Sequence, residues 1–135
     1  MCGDLEEGNP LDDEIFAWLL NHARRLGAAP GAGGETGFPG AAGRNAYMDG
    51  LFRAALAGAL TDAGAAPEGE RSDAIAAQAL VFARLAGFLA GHLPPEADMF
   101  RATIEALMHG HGEPDRLAET RGHHHDRHHG HDHGR

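Results

Sequence analysis

The stretch 72-SDAIAAQALVFARLAGFLAG-91 decides the fold. Its apolar residues Ile75, Leu80, Val81, Phe82, Leu85, Phe88 and Leu89 do not alternate as in a half-buried strand. They recur at helical spacings and wrap much of the circumference, which predicts the most buried helix of the molecule. Ser72 or Asp73 is a suitable N-cap, and Gly91 is a suitable stop. The surrounding segment 74–93 is the most apolar of the chain, yet Gln78 and Arg84 lie inside it. An arginine in mid-span costs about 2.5–3.5 kcal/mol on insertion. The segment therefore reads as a core helix and not as a membrane span.

Working outward, "AAPEGER" (65–71) is a turn, and a helix precedes it from about Asn45 to Gly64. Tyr47, Met48, Leu51, Phe52, Leu56 and Leu60 form the apolar face of that helix. On the other side "HLPPE" (92–96) breaks the chain, and Pro95 opens a further helix with Glu96 and Asp98 in its first turn. Its packing stripe is Met99, Phe100, Thr103, Ile104, Leu107 and Met108, with an end at Gly110 or Gly112. "EPDRLAETR" (113–121) adds one turn or a short helix. The first helix runs from Pro10 to Leu26, capped by Asn9 and stopped by Gly27. Its acidic first turn and Arg24 and Arg25 near its end suit the helix dipole. Leu11, Ile15, Trp18, Leu19 and Leu26 make its stripe.

Between these helices lies "GAAPGAGGETGFPGAAG" (27–43), too rich in glycine for a helix interior. It follows a helix and contains no lysine, so it reads as a connector and not as a phosphate-cradling loop. The expected fold is all-α: a small antiparallel four-helix bundle with a Gly-rich loop and a disordered His-rich C-terminal tail. Residues 1–9 form a mobile arm, 10–119 the bundle domain and 120–135 the tail.

Composition narrows the chemistry. All 11 basic residues are arginine, so neither a Schiff-base lysine nor a P-loop lysine exists. The net charge of −9 disfavours nucleic acid as a partner. Cys2 is the single cysteine, which excludes an internal disulfide and a thiolate zinc site. The acidic N-terminus has no apolar h-region, and a cytoplasmic setting without membrane attachment is expected. No H-E-x-x-H or E-x-x-H ligand pattern occurs, and Ser72, the only serine, reads as a cap. An ordinary enzyme is not expected.

The C-terminus "GHHHDRHHGHDHGR" (122–135) holds seven of the 11 histidines. Its acidic and glycine interruptions are unlike an expression tag. His123 and His125, and then His129, His131 and His133, give H-x-H spacing. In extended chain, residues two apart project to one side, so two imidazoles reach one ion. His124 and His128 offer further nitrogens, and Asp126 and Asp132 offer carboxylates. Neutral imidazole suits divalent transition metals, nickel or zinc first and cobalt beside them. Many near-equivalent ligand sets mean several ions, weak selection and ready exchange, as in a buffer, storage segment or delivery arm. The tail resembles in type the histidine-rich termini of nickel and zinc handling proteins such as urease and hydrogenase maturation chaperones. That resemblance covers about a tenth of the chain and implies metal handling, with metal ions and a recipient metalloprotein or other protein as partners. The competing expectation is a helical interaction or regulatory module in which the tail is secondary.

Four histidines lie outside the tail. Glu105 and His109 share a helix face, and His111 follows, so Glu105, His109 and His111 form a candidate docking site for ions carried by the tail. His22 falls in mid-stripe beside Trp18 and reads as a core histidine with a hydrogen-bond partner. In an up-down-up-down arrangement, His22 and His92 fall toward the same end.

Overall fold

The computed structural model describes residues 10–31 and 40–125, with side chains as far as Glu119. The protein is all-α, with no strand among the described residues. The helices are α1 (Pro10–Arg25), α2 (Gly40–Ala65), α3 (Arg71–Ala90) and α4 (Met99–His125), with a 3-10 turn at Pro95–Ala97. They divide into two units, Met1–His92 and Leu93–Arg135.

In the first unit, α1 begins at Pro10 with Asp12 and Asp13 in its first turn and ends with Arg24 and Arg25. Gly27 adopts φ +83. The Gly27 N–H bonds the Arg24 carbonyl at 3.0 Å, and the Ala28 N–H bonds the Ala23 carbonyl at 2.9 Å. This pair of bonds closes the helix end on a left-handed residue, which glycine adopts without a Cβ penalty. Asn9 lies outside the described residues.

The glycine-rich connector is shorter than expected, because α2 begins at Gly40 and not near Asn45. Gly40 turns at φ +74, and Ala41 and Ala42, good helix formers, then join the helix. The α2–α3 turn bonds the Glu70 N–H to the Pro67 carbonyl at 2.9 Å, with Gly69 at φ +90 in its third position. The helix α3 starts at Arg71, so Ser72 and Asp73 sit inside its first turn and not at its cap.

The two helices meet through small residues. Ala63 of α2 is the buried apolar residue of the described chain, and Ala59, Ala74 and Gln78 are half-buried. The Gln78 side-chain amide donates to the Ala59 carbonyl at 3.3 Å across the seam. The expectation that α3 is the most buried helix is not met: none of its residues is buried. Periodicity reports which residues are apolar, not how many neighbours cover them. Here the contact strips run through Ala74, Gln78, Ala86 and Phe88, while Leu80 remains 74% exposed. By length and composition alone, α3 is long and apolar enough to cross a bilayer, as core helices of water-soluble proteins also can be.

In the second unit, the helix expected from Pro95 is split. A single 3-10 turn ends at Asp98 in a left-handed conformation, φ 49, and α4 starts at Met99. Arg101 closes on Asp98 at 3.3 Å, and the Thr103 hydroxyl donates to the Met99 carbonyl at 2.6 Å. The helix does not stop at Gly110 or Gly112; it passes both glycines and Pro114 and continues to His125. A proline inside a helix removes one backbone bond. Arg116 reaches back seven residues and donates to the His109 carbonyl at 2.7 Å, which gives a carbonyl in the turn before the proline a side-chain partner.

Candidate functional site

The site is built where the stripe of α1 meets the end of α3. Ile15, Leu19, His22 and Ala23 follow one another at helical spacing and are half-buried. Beyond Ala90 the chain makes one more tightened turn, with the His92 N–H bonded to the Leu89 carbonyl at 3.2 Å. Tightening leaves the Phe88 carbonyl among the unpaired acceptors of a helix end. The ring of His92 folds back and fills that need, with Nδ1 at 2.7 Å from the Phe88 oxygen. His92 is 7% exposed and is the buried polar residue of the described chain.

Hydrogen-bond roles follow from this contact. A carbonyl oxygen only accepts, so Nδ1 of His92 carries the hydrogen. When the ring is neutral, Nε2 then holds the lone pair. His22 Nδ1 lies 2.7 Å from that nitrogen and donates to it. A directed chain results, from His22 to His92 to the Phe88 carbonyl, and both tautomers are set. The ring centroids lie 4.9 Å apart, as expected for two imidazoles meeting nearly end to end.

Aromatic rings surround the pair. Trp18, one turn before His22, stands with its ring 5.2 Å from His22 and 4.9 Å from His92, edge-on to both. Phe88 stands edge-on to His92 at 4.9 Å. Beside the pair an apolar groove of about 510 Å³ runs between α1 and α3, walled by Phe16, Leu19, Leu20, Val81, Leu85 and Phe88. A second apolar groove, of about 460 Å³, lies along α2 and α3 between Phe52, Leu56, Ile75 and Phe82.

Of the sequence-derived candidates, Glu105, His109 and His111 do not converge. Among the described residues no three histidine, cysteine or acidic side chains come together. His109 instead faces forward along α4, with Nε2 at 3.6 Å from Glu113 Oε1 and Nδ1 at 3.5 Å from Arg116 Nη2. Glu113 and Arg116 belong to the segment that the sequence set beyond the end of the helix. The backbone at His123, His124 and His125 is helical, not extended. Their side chains, and all of Asp126, His128, His129, His131, Asp132 and His133, lie outside the described residues.

The bond between His22 and His92 is what sequence reasoning missed. The signals present were an imidazole in the middle of an apolar stripe and a second one at the end of another helix. The tightened turn that aims His92 has no sequence signature of its own. In comparisons with protein-family models, curated proteins and solved structures, the chain matches none.

Proposed function

We propose that the protein binds divalent transition metal ions, nickel or zinc foremost, through its histidine-rich C-terminus, and buffers, stores or delivers them in the cytoplasm. One observation carries this reading: seven histidines and two aspartates within 123–133, arranged with repeated H-x-H spacing. Imidazole nitrogens and carboxylates at that density hold several ions in exchangeable sites. No catalytic role is assigned.

The test compares the native chain with a full-length variant in which His123, His124, His125, His128, His129, His131 and His133 are replaced by asparagine. After equilibrium dialysis against nickel or zinc, elemental analysis should show several ions on the native chain and a loss of most of them in the variant. Equal metal content in the two chains refutes the reading.

A second reading, a helical interaction module, is favoured by the uncovered apolar side chains of α2 and α3. Leu51, Phe52 and Leu60 of α2 and Ile75 and Val81 of α3 are each more than half exposed. An antiparallel four-helix bundle is the packing proposed for the chain in solution, and it would cover part of these faces. A partner helix would cover them equally well. Sedimentation of the purified chain across a hundredfold concentration range separates the two. A constant monomer favours the bundle, and mass growing with concentration favours an intermolecular partner.

A further inference from the structure

We infer that His22 and His92 form a two-imidazole seat for one divalent late first-row transition metal ion, separate from the C-terminal histidines. The ion would replace the proton shared between His22 Nδ1 and His92 Nε2 and bridge the two nitrogens.

Two features point this way. Two imidazoles 70 residues apart, one on α1 and one in the turn that follows α3, present facing nitrogens at 2.7 Å. The outer nitrogen of His92 is fixed by donation to the Phe88 carbonyl at 2.7 Å. Ligating histidines are oriented in this way, because the outer N–H sets the tautomer and aims the lone pair.

Nitrogen ligands sit about 2.0–2.1 Å from a zinc ion, so two of them at a tetrahedral centre lie about 3.3 Å apart. The facing nitrogens must separate by about 0.6 Å, and each lone pair must tilt about 35° off the line between them, a movement that falls mainly to the half-buried His22 ring. The hydrogen on His22 Nδ1 moves to its Nε2 by exchange of tautomers. Both rings stay neutral, and the ion takes one lone pair from each. Water completes the coordination. Imidazole-only ligation selects nickel, zinc, cobalt and copper(II) over magnesium and calcium.

Trp18 provides the readout. It is the only tryptophan, and its ring lies about 5 Å from both imidazoles. An open-shell ion seated between them would quench its fluorescence. The experiment uses the full-length chain with the seven tail histidines changed to asparagine, titrated with Ni²⁺. The expected result is saturable quenching at one equivalent, reversed by EDTA and suppressed by competing Zn²⁺. His22→Gln and His92→Gln should each weaken the apparent affinity at least tenfold, and the His109→Asn/His111→Asn variant should leave it unchanged. Absence of saturable quenching, or equal affinity in the glutamine variants, overturns the proposal. Should the glutamine variants lose helicity, ring resonances of the tail-silenced chain decide. Broadening by Ni²⁺ at His22 and His92 supports the seat, and broadening confined to His109 and His111 overturns it. The seat does not rest on the tail. With the native tail, the His22→Gln/His92→Gln chain keeps its C-terminal ions even if the seat is real, so either proposal can fail alone.

Discussion

His22 and His92 stand 70 residues apart in the chain, and their ring nitrogens meet at 2.7 Å. Each ring depends on the other for its role. His92 is held by its own helix end, and His22 supplies the hydrogen that its remaining nitrogen accepts. The bond therefore ties the last turn of α1 to the end of α3, in a unit whose α2–α3 seam is made largely of alanine.

Removing one ring should weaken that tie. His92→Phe keeps an aromatic body in place but abolishes both hydrogen bonds of the ring, and it leaves the Phe88 carbonyl without the partner it has now. The expected loss is about 1–3 kcal/mol of unfolding free energy, because an acceptor is left unsatisfied in a half-dry place. His22→Phe should cost less, about 0.5–1.5 kcal/mol. The two losses should not add. Urea denaturation of the singles and the double should return a coupling of at least 0.5 kcal/mol, as contacting residues do. Additive losses would mean that the rings do not interact in solution.

Gly27 tests the end of α1. Its φ is +83, and a Cβ built there meets no atom within 4 Å. Gly27→Ala should therefore cost only the backbone penalty, about 1–2 kcal/mol, and Gly27→Asn clearly less. Equal stability of the glycine and alanine chains, measured by urea denaturation, would show that the helix does not end on a left-handed residue.

Helix existence was legible in the sequence, and the reasons are local. Pro10 and Gly27 punctuate α1, and Pro67 and Gly69 turn the chain between α2 and α3. Helix extent was less legible. Gly110 and Gly112 looked like stops, yet each lowers helix stability by only about 1 kcal/mol, and α4 passes through them. Burial was misread for α3 because apolar residues on every face say nothing about what covers them. For the site, mid-stripe His22 and helix-end His92 could be singled out, and an up-down-up-down order would bring them toward the same end. Their bond could not be read, because it requires the last turn to tighten at His92 and release the Phe88 carbonyl.

Pro114 marks the weak point of α4. It removes a backbone bond in a stretch that also holds Gly110 and Gly112. Pro114→Ala should raise helicity there, since proline is about 3 kcal/mol less favourable than alanine in a helix interior. Hydrogen exchange should slow across 110–119 while the rates in α2 stay constant. Arg116→Ala should do the reverse, because it removes the donor to the His109 carbonyl at 2.7 Å. Unchanged exchange in both variants would mean that the helix is interrupted before Pro114.

Metal held by the C-terminal histidines should be released by acid, and the sign follows from competition. An ion needs the neutral imidazole, so each bound ion excludes one proton per nitrogen it uses. Below the ordinary histidine pKa of about 6.5, an ion on two imidazoles loses about two log units of apparent affinity for each unit of pH. Carboxylates as a class behave differently, since an ordinary aspartate gives up its charge only as the pH nears about 4. Dialysis against nickel at fixed free concentration should therefore give a full complement at pH 7.5 and nearly none at pH 5, with the steepest loss between 6.5 and 5.5. Metal retained at pH 5 and lost only near 4 would transfer the ions from the imidazoles to the aspartates.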